Sequence, residues 1–78
     1  MTDELDQTLH LLIVTPEDIL VNTQALWVQV PAADGMLGIW PGHDVLISSV
    51  ERGEVSYATA EGEYTFPVVD GTLCVGHG

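Results

Sequence analysis

Three histidines, one cysteine and a few carboxylates are the residues of this 78-residue chain whose types could do covalent or acid–base chemistry. His43 and Asp44 adjoin, an imidazole and a carboxylate of the kind that general acid–base catalysis pairs. Neighbours in an extended chain point to opposite faces, so Asp44 is badly placed to orient His43. His10, His43 and His77 lack the short spacings of metal ligands, and a metal site would need distant parts of the fold to converge. Cys74 is the only cysteine, which excludes an internal disulfide; in a strand-like run it reads as a small buried hydrophobe rather than a reactive thiol. No Gly-x-Ser-x-Gly, phosphate loop or cysteine pair is present. The sequence therefore offers no catalytic residue, no metal site and no cofactor site, and the chemistry left to it is recognition.

The stretch best suited to recognition runs through Asp34, Gly35, Met36, Leu37, Gly38, Ile39, Trp40, Pro41, Gly42 and His43. Gly35 and the Pro41-Gly42 pair mark two turns. Between them Met36 to Trp40 is long enough for one short strand, and Gly38 inside it signals a bulge or a close backbone approach. A frame of this kind projects Met36, Trp40 and His43. We take all ten residues as a candidate partner interface; a plain surface corner of a β-protein is the competing reading. For His43, a turn histidine bonding local backbone ranks first, a partner contact second and a catalytic base last.

Charge narrows the partner. Twelve acidic residues face one basic residue, Arg52, for a net charge of −11. Charged residues total only 17%, so the imbalance comes from missing bases more than from an acid-coated surface. Nucleic acid and anionic lipid both require Lys and Arg to neutralise phosphate, and are excluded as direct partners. A protein partner should offer a neutral or basic surface. The 46% hydrophobic content fits one small globular domain, which buries only roughly 60% of its unfolded surface. No apolar run approaches the roughly 20 residues a spanning helix needs.

The elements that must hold the candidate stretch read as strands. Residues 1–8 form an acidic tail, expected to be disordered, and the domain is expected over 9–78. Leu9 to Val14 is a strand closed by Thr15-Pro16, and Ile19 to Val21 a second, ended by Asn22. Ala25 to Val30 alternates, with Leu26, Val28 and Val30 on one face and Ala25, Trp27 and Gln29 on the other. Core packing is the favoured fate of Trp27 over covering a sheet edge or meeting a partner. Val45 to Val50 is broken by Arg52-Gly53, Glu54 to Thr59 alternates again, and Glu61-Gly62-Glu63 is a hairpin turn. Tyr64 to Val69 returns, with Pro67 requiring an edge or an outward position. Asp70-Gly71 turns the chain into Thr72 to Val75. No stretch carries a 3.6-residue period. The expected fold is all-β, a small antiparallel β-sandwich or flattened barrel of about eight to ten short strands.

Leu37-Gly38-Ile39-x-Pro41-Gly42-His43 resembles the Gly-x-Leu-Gly-Ile-x-Pro-Gly-His segment of the epsilon subunit of F-type rotary ATP synthases. Leu11 to Glu17 resembles that family's opening strand and its Val-Thr-Pro-Glu corner, and Asp70-Gly71 with Leu73 and Val75 stands where the family has a Gly-Gly pair and another strand. The resemblance covers roughly Leu9 to Val75. It implies an N-terminal β-sandwich domain, with the family's last strand and its C-terminal helical hairpin outside these residues. It also implies a non-catalytic central-stalk subunit that binds the gamma subunit and the membrane rotor ring, coupling rotation to ATP synthesis at the cytoplasmic face of a bacterial inner membrane or its organellar equivalent. In the family the residue before Leu-Gly-Ile is commonly Glu, which can meet an Arg of the ring; here it is Met36, so Asp34 or Asp44 supplies the charge or Met36 makes an apolar contact. Without the helices, the segment is expected to support coupling without inhibiting ATP hydrolysis, and a missing strand would leave a sheet edge open to self-association. The alternatives are a free-standing acidic module that masks a basic partner, and a small hydrolase or metal-binding protein.

Overall fold

The computed structural model describes residues 8–32, 35–42 and 45–77. Six strands follow one another: β1 (Leu9–Val14), β2 (Ile19–Ala25), β3 (Trp27–Ala32), β4 (Gly35–Ile39), β5 (Leu46–Thr59) and β6 (Gly62–His77). All pairings are antiparallel, in the order β2-β1-β6-β5-β3-β4. There is no helix among the described residues. The all-β expectation holds; the number of strands is six rather than about eight to ten.

The difference lies in β5 and β6. Arg52-Gly53 and Asp70-Gly71 do not end strands. The ladder runs through them, with Val50 opposite Gly71, Arg52 opposite Val69 and Gly53 opposite Val68. What changes there is the face. Leu46, Ser48 and Val50 are the less exposed residues before the corner, and Gly53, Val55 and Tyr57 after it, with Glu51 and Arg52 both exposed between them. In β6, Val68 and Gly71 are buried while Val69 and Asp70 are both exposed. Asp70 takes φ 54°, the left-handed conformation a short polar side chain tolerates. So the two strands bend together and pass from one layer into the other, which is how sandwich corners are made. The corner has no room to spare. A Cβ on Gly71 would lie 2.7 Å from Val68 Cγ1 and 3.2 Å from the Val14 carbonyl oxygen, and one on Gly53 would lie 2.6 Å from Pro31 Cγ.

One layer thus consists of β2, β1, the second half of β6 and the first half of β5. The other consists of the first half of β6, the second half of β5, β3 and β4. Alternate residues fill the space between them: Leu9, Leu11 and Ile13 from β1, Val21 from β2, Leu73 and Val75 from β6, and Val28, Val30, Val55 and Ile39 from the facing layer. Full burial of each such side chain contributes about 1.5–3 kcal/mol. No polar side chain is buried among the described residues.

Several boundaries differ from the sequence reading. β1 is as expected. β2 continues past Asn22 to Ala25, because Asn22 and Gln24 fall on its solvent side while Val21 and Ala25 face inward. The chain bends at Leu26, whose N–H donates to the Ala58 carbonyl at 2.7 Å; Leu26 is exposed and does not share the face of Val28 and Val30. Thr59 stands opposite Gly62, so the hairpin turns at Ala60-Glu61, one residue earlier than expected. Pro67 lies where β6 has β5 as its one partner, the edge position its missing N–H demands. Thr72 to Val75 is no edge, being flanked by β1 and β5. The acidic run Met1 to Gln7 lies outside the described residues.

Candidate partner interface

The candidate stretch becomes β4 and the turn after it. β4 pairs with β3 in unbroken register, Ala32 opposite Gly35, Pro31 opposite Met36, Val30 opposite Leu37, Gln29 opposite Gly38 and Val28 opposite Ile39. No bulge occurs at Gly38. Ile39 shares the inward face with Val28 and is buried, whereas Leu37, beside Val30, remains 45% exposed because β4 has no neighbour on its outer side. Met36 is 57% exposed and Trp40 54%. Nor does any backbone approach Gly38 closely: a Cβ there would meet only the Trp40 ring, 3.5 Å from its Nε1, which is ordinary van der Waals distance. Trp40 in turn leans on Trp27, with ring centroids 6.3 Å apart and planes at 47°. This tilted geometry suits aromatic pairs and fixes the indole while one side stays wet. Trp27 is half-buried beneath it. Pro41 and Gly42 follow in a turn, with Gly42 at φ 100°, which a larger residue would adopt only under strain.

The structure therefore brings Met36, Gly38 and Trp40 together with Trp27 on one outer surface and turns Ile39 into the core. Asp34 and His43 lie outside the described residues, as does Asp44. What the described part can do is bury thioether and indole surface against a partner. Interfaces favour this composition, and a few aromatic anchors carry most of their affinity.

Elsewhere the titratable groups are spread apart. His10 Nε2 donates to Asn22 Oδ1 at 2.5 Å across β1 and β2. Cys74 is half-buried, opposite Leu12 on one side and Ile47 on the other. His77 is exposed at the end of β6. Among the described residues no three His, Cys, Asp or Glu side chains converge as metal ligands, and no helix is long and apolar enough to cross a membrane.

Sequence reasoning missed a second uncovered region, at the start of β5. Ile47 is 68% exposed, and Val45 beside it is also exposed. The signal was there: Val45, Leu46 and Ile47 are consecutive apolar residues, so both faces of that strand are apolar.

Residues 8–76 match the family model described as the ATP synthase, Delta/Epsilon chain, beta-sandwich domain. The chain is 40% identical over 67 residues to the ATP synthase epsilon chain of Bordetella avium, covering 85% of this chain and 48% of that protein. Against the epsilon chain of Campylobacter fetus it is 35% identical over 63 residues, covering 81% and 49%. Against that of Koribacter versatilis it is 47% identical over 51 residues, covering 65% and 35%. The chain thus spans about half or less of the length of these curated relatives. No solved structure matches it significantly.

Proposed function

This chain belongs to the ATP synthase delta/epsilon-chain β-sandwich family, and from that premise we propose that it serves as the sandwich domain of an epsilon-type central-stalk subunit. In this reading it grips the gamma subunit and rests on the loops of the membrane rotor ring. It transmits rotation to the catalytic head without itself touching the reacting phosphates. Its place is then the cytoplasmic face of a bacterial inner membrane, or the organellar equivalent, reached through protein partners.

The observation that carries this reading is the exposed Met36–Trp40 surface on a ribbon held rigid by the β3 ladder and by Trp27. A coupling element has to pass torque, so its contact residues must not yield, and a paired strand backed by the core meets that need. Met36 makes the ring contact apolar where a carboxylate would make an ion pair. An exposed ion pair is worth only about 0.2–1 kcal/mol, so Met36→Glu should leave ring affinity within about tenfold. A change of several orders of magnitude would place the whole contact on this one side chain.

The test is reconstitution. The polypeptide is added to a synthase stripped of its epsilon subunit, and ATP-driven proton pumping is measured together with ATP hydrolysis. Restored pumping with undiminished hydrolysis supports the reading; no binding to the stripped complex refutes it. The charge of −11 favours one rival, an acidic module that masks a basic protein. That rival predicts binding to basic proteins in general, abolished by salt, with no preference for the gamma–ring assembly.

A further inference from the structure

Two sulfur-bearing side chains lie among the described residues, and the fold treats them differently. Cys74 is half-buried in β6, where the ladder sets it between Leu12 of β1 and Ile47 of β5. Met36 is 57% exposed. It faces outward because β4 alternates and Ile39 takes an inward place. Its backbone pairs with Pro31 of β3, while its side chain takes no part in the core cluster. Trp40 stands on the same outer face, with Gly38 between the two, so no side chain parts the thioether from the indole. The other methionine, Met1, lies outside the described residues.

We infer that Met36 is an oxidation-sensitive contact: hydrogen peroxide converts its thioether to the sulfoxide in the free chain, and docking of the Met36–Trp40 face is weakened until a reductase removes the oxygen. The inference rests on the stalk reading, since it concerns the regulation of the contact proposed there. In the step, the Sδ lone pair attacks one oxygen of the peroxide. The O–O bond breaks as the S–O bond forms, and the other oxygen leaves as water with both protons. Sulfur is oxidised by two electrons and the peroxide is reduced. A reductase drawing two electrons and two protons from a dithiol releases the added oxygen as water and leaves a disulfide. A thioether has no proton to lose before it reacts, so access governs it, whereas a thiol must first become a thiolate. Access favours Met36 over Cys74. Oxidation makes a flexible apolar side chain polar, and an oxygen buried at the contact without a donor weakens binding. The sulfoxide is neutral, so unlike a carboxylate it attracts no cation in return. The fold is spared because Met36 lies outside the core cluster. Once docked, the contact closes over the thioether and shields it, so the free chain is the form that reacts.

The test treats the 78-residue chain with dilute hydrogen peroxide, free and bound to a gamma–rotor-ring assembly stripped of epsilon. Peptide mass mapping locates each added oxygen. Met36 should gain oxygen in the free chain and be protected in the bound one. The oxidised chain should keep its denaturant midpoint and bind the assembly at least about fivefold more weakly. Methionine sulfoxide reductases of both stereochemical classes, supplied with dithiothreitol, should restore the affinity. Met36→Leu, compared with its own untreated sample, should lose no affinity on treatment, which assigns the effect to Met36 rather than to Met1, Cys74 or an indole. Should that variant bind too weakly to compare, mass mapping with reductase rescue tests the same atom. Equal binding before and after oxidation, oxidation confined to Met1 or Cys74, an equal loss in Met36→Leu, or a fall in the denaturant midpoint that accounts for the loss would overturn the inference and leave the stalk reading standing. No binding by the untreated chain would overturn both.

Discussion

The corner and the ribbon both carry glycines, and they do so for opposite reasons. At the corner, a Cβ on Gly71 or Gly53 would collide with atoms that cannot easily leave: the Val68 side chain, the Val14 carbonyl, the Pro31 ring. On the ribbon, a Cβ on Gly38 would meet one atom, Trp40 Nε1, at ordinary contact distance. The fold needs the first two glycines. It does not need the third, whose smallness serves the Trp40 shelf and whatever lies upon it. The same contrast holds for burial: Gly71 and its neighbour Val68 are buried, while the ribbon leaves Met36 and Trp40 half or more in solvent. Under the proposed function, small residues and turn signals in this chain fall into two groups, one answering to packing and the other to contact.

Substitutions can break or sharpen that division. Gly71→Ala should have the largest effect on stability, about 1–3 kcal/mol by overpacking, read as a lower denaturant midpoint at unchanged slope. In a domain of this size, total stability is of order 4–12 kcal/mol. Gly53→Ala should destabilise in the same sense but less, because its Cβ would meet the Pro31 side chain alone, whereas that of Gly71 also meets the Val14 backbone carbonyl. Little change at either glycine would remove the packing half of the comparison. Trp40→Ala should cost no more than about 1.5 kcal/mol of stability, the worth of an aromatic pair. It should weaken partner binding by about 2 kcal/mol or more if the indole is an anchor. Gly38→Ala should move stability by no more than about 0.5 kcal/mol, in either direction, and should still weaken binding. A Gly38→Ala chain that unfolds readily would put this glycine with those of the corner.

The sequence shows the bounds of β1, the bend at Pro16, the turn at Gly42, the edge position of Pro67 and the exposure of Trp40, because each rests on local chemistry. It misleads at Arg52-Gly53 and Asp70-Gly71. A bent strand needs the same residues as a strand break: a small residue for close approach and two successive exposed positions where the alternation changes face. Only the partner strand distinguishes the two, and β5 and β6 bend together, each supplying the other's continuity. Leu26 misleads for a related reason: the alternation expected across it is reset by its N–H bonding to Ala58, a residue far along the chain. The resemblance around Leu37-Gly38-Ile39, by contrast, points to the ribbon whose Met36, Leu37 and Trp40 are exposed.

The central claim is that the ribbon exists for contact and the corner for the fold. It is tested most directly by titrating a gamma–rotor-ring assembly, stripped of epsilon, with the unaltered chain and with Gly38→Ala, after chemical denaturation has established the stability of each. The account predicts equal stability within about 0.5 kcal/mol and at least about tenfold weaker binding for Gly38→Ala. Unchanged binding by an equally stable Gly38→Ala chain would contradict it.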